Sequence, residues 1–235
     1  MAHKNQKYAK KGKIIIDRKG FFVMAKRIIF ETKLEKPYFR KVEVETTFPN
    51  GWFHKPQLAI DKINDVYKIK TDTKKDPLEI STASNNEIGK KLSAFSLKNK
   101  DGKTVECLFQ ASKKFENGGP YLDLLETISN KAKKDKRLEK SGKLIAFVKD
   151  GREYPLFPKT AFYDYLYISV LMENKDLWNE IDNYDSFADV WFSPDKKINC
   201  QAEAVAIFKG LKDSGNLEKA MKSYDDFVNA VFLSK

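Results

Sequence analysis

The chain has 235 residues, 41% of them hydrophobic, which is enough to bury the core of one large domain or two small ones. No run approaches the roughly 20 apolar residues of a membrane-spanning helix, and the basic stretch at residues 1–13 lacks the apolar segment of a signal peptide. Two cysteines and two histidines argue against a histidine metal site or a Ser-His-Asp triad, and we expect a reduced, cytoplasmic protein without membrane contact.

The net charge of +11 is unevenly placed along the chain. Residues 1–75 hold 19 Lys and Arg against 8 Asp and Glu, whereas residues 76–235 hold 25 of each. Such asymmetry is typical of contact with a polyanion. A general compositional bias toward lysine explains the charge equally well. The densest basic group is Lys10, Lys11, Lys13, Arg18 and Lys19.

The first third of the chain is predicted to hold strands and one helix. Residues 12–46 contain short apolar runs and the period-two alternation of β-strands, clearest at Val42-Glu-Val-Glu45. Residues 55–70 place their apolar side chains at helical spacing. A polar linker at 74–77 sets the expected boundary between a basic region, 1–75, and a second domain, 76–235.

The remaining elements are predicted from the same periodicities and from turn signals. Residues 78–84 indicate a strand, and the middle of the chain indicates helices at 104–115, 121–127 and 130–138. The later elements are a hairpin of strands 143–148 and 152–156, an apolar core helix 161–173, a loop and strand at 185–194, a helix 200–212 capped by Asn199, and two short final helices.

The predicted helix over residues 104–115 carries three polar groups on one flank. Glu106, Gln110 and Lys113 recur at i, i+4 and i+7, beside an apolar arc that includes Val105 and Phe109. A carboxylate beside a buried face can have its pKa adjusted for proton transfer, so the pattern fits a reaction site. A solvated Glu–Lys pair on an exposed helix would produce the same spacing.

Four segments resemble, in order, the NADAR superfamily of YbiA-like proteins. They are Leu92-Ser-Ala-Phe95, Glu106-x-x-x-Gln110-Ala-x-Lys113, Ala132-Lys-Lys134 and Asp189-Val-Trp191, and the resemblance covers residues 78–194. The segments at 109–113, 115–121 and 198–202 look closer to the NADAR antitoxins associated with DarT-type DNA ADP-ribosyltransferase toxins. The chain departs from the family pattern at Ala94, Cys107, Leu108, Asp135, Lys136 and Phe192.

The resemblance implies an α+β fold, with a mainly helical core and a small sheet preceded by the basic, strand-rich N-terminal extension. It implies a hydrolase that removes ADP-ribose from guanine bases in DNA and acts as an antitoxin. No metal or redox cofactor is implied, and ADP-ribose would be the product held in the pocket. The expected partners are ADP-ribosylated DNA and a DarT-type toxin, and we expect a monomer.

Glu106 and Lys113 are the candidate catalytic residues. The resemblance assigns Glu106, Gln110 and Lys113 to the site, and Glu106 is our candidate for moving a proton or positioning water. Lys113 either offsets phosphate charge or forms a Schiff base with an opened sugar.

The candidate contacts to substrate each have an alternative role. Phe95 and Trp191 stack on a base or pack in the core, and Asp189 binds ribose hydroxyls or caps a turn. Gly118 and Gly119 cradle a pyrophosphate at a helix start or only end the previous helix. The remaining substrate-binding candidates are Ser93 and Gln110.

The basic N-terminal group is the candidate DNA contact. Lys10, Lys11, Lys13, Arg18 and Lys19 would bind the DNA backbone without reading its sequence. Two other functions remain open at this stage. One is an N-glycosidase acting on a small riboflavin-pathway intermediate, and the other is a non-catalytic module that binds ADP-ribosylated DNA or the toxin.

Overall fold

The computed structural model describes residues 14–17, 20–49 and 51–233, which form an α+β fold with two sheets. The strands are β1 (Ile14–Asp17), β2 (Gly20–Thr32), β3 (Phe39–Pro49), β4 (Leu78–Glu79), β5 (Lys113–Phe115), β6 (Leu144–Lys149), β7 (Arg152–Tyr154) and β8 (Ser186–Ala188). The α-helices are α1 (Pro56–Thr71), α2 (Glu87–Lys91), α3 (Val105–Ala111), α4 (Ser129–Lys133), α5 (Arg137–Lys140), α6 (Ala161–Met172), α7 (Trp178–Ile181), α8 (Gln201–Asp213), α9 (Leu217–Ala220) and α10 (Tyr224–Val231).

The larger sheet is organised around β2. This strand pairs antiparallel with β1 and β3, and its end pairs with β8 at Phe30 and Glu31. Strand β8 in turn pairs in parallel with β4. The smaller sheet has the order β5-β6-β7. The predicted single small sheet is therefore two sheets in the described residues, and the larger one includes the strands of the N-terminal third.

Strand β3 and helix α1 form a second, smaller core as their sequences predict. Along β3, Val42 and Val44 are buried while Glu43 and Glu45 are exposed, so one face of the strand meets the core. Helix α1 begins with Pro56 at its first turn, where the missing N–H costs nothing, and packs its apolar side on β3. The three predicted strands and the helix of this region are confirmed.

The main core is built on α6 and α8. Helix α6 is apolar on nearly all sides, and it is buried on nearly all sides as such a pattern requires. Its Tyr167 hydroxyl donates a hydrogen bond to the Leu92 carbonyl, so the central helix fixes the segment that precedes α3. The predicted hairpin, core helix and two final helices are confirmed as β6–β7, α6, α9 and α10.

The predicted helix over residues 104–115 is wrong in its second half. Helix α3 ends at Ala111, and residues 113–115 form strand β5, which pairs with β6. Lys113 therefore lies on a strand, and its position relative to Gln110 is not the one that helical spacing predicts. The reason is tertiary, because β5 completes a sheet whose other strands lie about 30 residues further along the chain.

Four other elements differ from their predictions. The predicted strand over 78–84 is only Leu78–Glu79, and the helix over 121–127 is a 3₁₀ turn, Leu122–Glu126. The segment 185–194, predicted as a loop leading into a strand, instead holds the strand Ser186–Ala188 near its start. Residues 130–138 split into α4 and α5. Asn199 does not cap α8, because Cys200 occupies the cap position without a side-chain bond. Short elements of this kind are fixed by tertiary pairing more than by local pattern.

None of the helices in the described residues has the length and apolar character needed to cross a membrane. The boundary expected at residues 75/76 stays a prediction. Strand β2 of the first region nevertheless pairs with β8 of the second, so both contribute to the larger sheet.

Candidate functional site

A cavity of about 530 Å³ lies where α3, α4, the segment after β8 and the start of α8 meet. Its volume falls within the range typical of small-molecule sites. Six predicted site residues line it, namely Ser93, Phe95, Glu106, Gln110, Asp189 and Trp191. Its walls also include Ser81, Thr82, Ala94, Phe109, Asn130, Lys133, Tyr163, Lys197, Ile198, Asn199 and Gln201.

Glu106 lies in the first turn of α3, which Thr104 begins by accepting a hydrogen bond from the Cys107 N–H at 3.2 Å. Glu106 and Gln110 are each only 6% exposed, which excludes a solvated pair on an open helix face. The Gln110 amide donates to Glu106 Oε1 at 2.8 Å. The Gln110 carbonyl oxygen is buried and has no partner among the described residues, so it can accept a bond from a ligand.

Lys113 remains close to this pair although it lies on β5. Its ammonium is 4.7 Å from the ring centre of Phe109, a residue of the cavity wall. The pKa of Lys113 is lowered to about 8, chiefly by burial; Glu106 opposes this shift and Lys133 adds to it. Lys113 itself does not line the cavity, so the structure places it behind the Phe109 side of the wall.

Lys133 is a cavity residue that the sequence analysis did not assign to the site. Its ammonium is 3.9 Å from Glu106 Oε1 and 4.8 Å from the ring centre of Phe95. The signal was present, because Lys133 belongs to the Ala132-Lys-Lys134 segment of the resemblance. Lys133 is one of several neighbouring lysines, and nothing in the sequence distinguishes it from the others as a site residue.

Asp189 follows β8 and is held by two hydrogen bonds. Its Oδ1 accepts from the Trp191 N–H at 2.9 Å, and its Oδ2 accepts from the Gln201 amide at 3.1 Å. Burial raises the pKa of Asp189, while Lys197 and Lys133 oppose that shift. Asp189 therefore caps a turn and also lines the cavity, while its expected binding of ribose hydroxyls stays a prediction.

Gln201 joins three parts of the wall and was not predicted. Its amide donates to the Ile80 carbonyl at 2.5 Å and to Asp189, and its carbonyl accepts from the Ala94 N–H at 2.7 Å. The short segment Ile198-Asn-Cys-Gln-Ala202 had been noted only as part of the resemblance. The contacts of Gln201 span more than 100 residues, and no local pattern reveals them.

Glu79 is a buried residue bonded to Ser81 of the cavity wall, and the pKa of its carboxyl group is raised. Its Oε1 accepts from the Ser81 hydroxyl at 2.6 Å and from the Val190 N–H at 2.9 Å. Burial and the nearby Asp189 raise the pKa of Glu79 to about 8. The close approach of α2 requires Gly89, because a Cβ there would lie 2.1 Å from the Glu79 carbonyl oxygen.

Trp191 is braced from the N-terminal region. Trp52 stacks on it with ring centres 5.4 Å apart and planes inclined by 28°. The Arg27 guanidinium lies 5.6 Å from the Trp52 ring centre, and its Nε donates to the Val190 carbonyl at 3.0 Å. A cation and two indoles thus form one layer behind the cavity wall, with both Arg27 and Trp52 supplied by residues before 75.

Ser93 and the predicted glycine cradle occupy different places. Ser93 lines the cavity and is almost fully buried. Gly118 and Gly119 do not line it; Gly118 accepts a bond from the Phe115 N–H at 2.8 Å and closes the end of β5. Gly119 has φ +75°, and a Cβ there would lie 2.3 Å from the Lys113 carbonyl oxygen. The cradle stays a prediction, and the element that follows it is a 3₁₀ turn.

The predicted DNA contacts Lys10, Lys11, Lys13, Arg18 and Lys19 lie outside the described residues. Within the described residues, no group of three or more His, Cys, Asp or Glu side chains is arranged to hold a metal ion.

The chain matches the NADAR class of proteins, and its Glu106-x-x-x-Gln110 helix supplies part of the cavity wall. More narrowly, the family model of the DarT1-associated NADAR antitoxin matches residues 25–235, and the chain belongs to that family. The match begins within β2 and includes β3 and α1, so it extends well beyond the 78–194 expected from the motifs. No curated protein matches the chain significantly.

Proposed function

We propose that this protein hydrolyses the N-glycosidic bond between ADP-ribose and guanine in DNA, and so acts as the antitoxin of a DarT-type toxin. The observation that carries the proposal is the buried Glu106–Gln110 pair in the wall of a cavity of about 530 Å³. Family membership supports an ADP-ribose ligand and a toxin partner.

Glu106 is the candidate proton carrier. In the direct route, water adds to the anomeric carbon, the bond to the guanine amino nitrogen breaks, and that nitrogen receives a proton. The carboxylate of Glu106 takes the proton from water and passes it to that nitrogen, and the Lys133 ammonium lies 3.9 Å from this carboxylate. Gln110 holds the carboxylate in place through the bond at 2.8 Å.

Lys113 has two candidate roles. As an ammonium it offsets the charge of the diphosphate. As a neutral amine that moves past the neighbouring Phe109 ring into the cavity, it attacks the imine carbon of a ring-opened sugar, displaces the guanine amine, and forms a Schiff base that water then hydrolyses to free ADP-ribose. Its pKa of about 8 leaves a larger neutral fraction near neutral pH than an ordinary surface lysine has. This larger fraction favours the second role.

The remaining walls suit a nucleotide. Phe95 and Trp191 offer aromatic faces to a base. Lys133 and Lys197 bring positive charge to the lining, as a diphosphate requires. Asp189 is the candidate partner for ribose hydroxyls, since it lines the cavity and each of its carboxylate oxygens, bonded once, can accept a further bond.

The direct test is release of ADP-ribose from an oligonucleotide ADP-ribosylated at guanine. We expect the wild type to release it and Glu106→Gln to be slower by about 100-fold or more, the usual contribution of a positioned proton carrier. Glu139→Gln, an exposed change on α5 with the same loss of charge, is the matched control and should behave as the wild type.

Each outcome selects one function. Equal rates for Glu106→Gln and wild type would remove Glu106 from the reaction. Tight binding of the modified oligonucleotide without release would identify a non-catalytic binding module. Release from a riboflavin-pathway intermediate in preference to DNA would identify the small-metabolite N-glycosidase.

A further inference from the structure

Four exposed lysines beside the cavity carry unneutralised charge. Lys98, Lys131, Lys134 and Lys136, here called the basic rim, have no side-chain hydrogen bond or ion pair with any described residue. The neighbouring Arg137 differs, because its guanidinium is held by Asp123 and Asp135 at 2.6 and 2.9 Å. The rim therefore presents its charge to solvent.

Five of the twelve described Lys and Arg side chains in the N-terminal third are neutralised in place. Lys26, Arg40, Lys41, Lys68 and Lys75 each pair with a carboxylate. For these five residues, the positive charge counted along the sequence is met by a carboxylate. Local pairing, and not the count of lysines along the sequence, decides where a polyanion is attracted.

The basic rim lies at the edge of the cavity. Asn130 and Lys133 of α4 line it, and Lys134 directly follows Lys133 at the end of this helix. Lys131 directly follows Asn130 in the sequence, and Lys136 is two residues after Lys134. The rim thus continues the positive charge that Lys133 begins inside the cavity.

A second groove leads away from the cavity on this side. It has a volume of about 430 Å³, and Thr82, Phe95 and Asn130 line both spaces. Lys98 lines the groove, and most of its other walls are small or hydroxyl-bearing side chains such as Ser96, Thr104 and Ser129. Phe95 stands between the two spaces, with the Lys133 ammonium over its ring.

We propose that the basic rim binds the phosphate backbone of the DNA strand that carries the modified guanine, with the flanking nucleotide in the second groove. The inference rests on the proposed function. A base that reacts inside a cavity must leave the helix stack, so the strand has to pass over the cavity edge. Lysine ammonium groups bind phosphates as point charges without reading sequence, which suits an enzyme that recognises its lesion by the attached ADP-ribose.

The test compares one variant on two substrates. The rim variant changes Lys98, Lys131, Lys134 and Lys136 to Gln, and the substrates are an ADP-ribosylated single-stranded oligonucleotide and ADP-ribosylated deoxyguanosine monophosphate. We expect KM for the oligonucleotide to rise at least about tenfold, while kcat/KM for the mononucleotide is unchanged. The slope of log affinity against log salt should shrink by up to about 3, since each phosphate contact on a single strand contributes roughly 0.7.

The matched control changes Lys143, Lys159, Lys219 and Lys222 to Gln. These lysines are also exposed, carry the same total charge, and line neither the cavity nor the second groove. The control should keep the wild-type KM and salt slope on the oligonucleotide. An equal loss in both variants would reduce the effect to net charge and overturn the proposal.

Failure of this inference is distinguishable from failure of the proposed function. If the wild type hydrolyses neither substrate, the function itself is wrong. If it hydrolyses both and the rim variant matches it on the oligonucleotide, the strand takes another path and the rim has no role. Equal slowing of both substrates by the rim variant would show an effect on the cavity instead, which also overturns the proposal.

Discussion

At the scale of single residues, the protonation of Lys113 decides which chemistry the site can perform. Its pKa of about 8 results chiefly from burial, with Lys133 adding to the shift and Glu106 opposing it. At pH 7 roughly a tenth of the amine is then neutral, against a few parts in ten thousand for an ordinary lysine. The lowered pKa favours the nucleophilic role of Lys113 and disfavours its role in offsetting phosphate charge.

The two roles of Lys113 predict opposite pH dependences. A nucleophilic amine must be neutral, so kcat should rise with pH and level off above about 8. A charge-offsetting ammonium must be protonated, so activity should fall through the same range. The measurement is the pH–rate profile on the mononucleotide substrate, with borohydride added in parallel to trap a Schiff base as a mass increase on the protein.

A matched variant makes the assignment firm. Lys113→Met should abolish both the trapped adduct and the pH-dependent rise if the amine is the nucleophile. Lys114→Met, an adjacent change at a lysine paired with Glu153, should leave both intact. A rising profile that persists without Lys113 would assign it to another group.

The residues that sequence reasoning could and could not find differ in the range of their contacts. Glu106 and Gln110 are one helical turn apart, so spacing alone placed them together. Gln201 and Lys133 reach the cavity from distant segments, and their roles depend on contacts that no local periodicity encodes. The motif assigned Lys113 to the site, but Lys113 lies on strand β5 and not on the helix predicted for it.

At the scale of elements, the layer of Arg27, Trp52 and Trp191 joins the N-terminal strands to the cavity wall. Trp52→Ala removes the ring that supports Trp191, and an aromatic pair contributes about 0.5–1.5 kcal/mol beyond its buried area. We expect affinity for ADP-ribose to fall about two- to tenfold, measured by isothermal titration calorimetry.

Trp52→Phe is the control for this prediction. It keeps an aromatic face against Trp191 and should retain most of the affinity, although both variants lose some packing against Phe48. Thermal unfolding of each variant separates a general loss of stability from a loss of the wall. Unchanged affinity in Trp52→Ala would mean that Trp191 needs no brace.

Elements were predictable where their pattern was long and their burial simple. Helix α6 is apolar throughout and α1 has one buried face, and both appear within about two residues of their predicted bounds. Strands β4 and β8 contain only two and three residues. Strand β4 pairs with β8 across about 110 residues, and β8 also pairs with β2, relations that neither short segment reveals alone.

At the scale of the whole molecule, buried carboxyl groups make stability depend on pH. Glu79 has a folded pKa of about 8 against an ordinary value of 4.5, and burial also raises the pKa values of Asp164, Asp189 and Glu203. Between about pH 4.5 and 8 the folded protein holds protons that the unfolded chain has released. Its free energy of unfolding should therefore fall as pH rises through this range.

Urea unfolding at several pH values between 5 and 8.5 checks this prediction. Glu79→Gln removes one of the groups while its side-chain carbonyl can still accept bonds from Ser81 and Val190, so its pH dependence should be shallower than that of the wild type. Glu139→Gln, exposed on α5, should leave the slope unchanged. Identical slopes for Glu79→Gln and wild type would mean that Glu79 ionises normally.

The position of β8 between β2 and β4 also bears on how the protein is made. Of the described strands, β4 has β8 as its only partner, and β8 ends at Ala188. A nascent polypeptide that has left the ribosome only as far as β7 can already pair β2 with β3, yet it cannot seat β4. Antitoxin activity should therefore appear late in translation. A premature stop codon before residue 186 should leave the cell unprotected from the toxin, even though most of the chain has been synthesised.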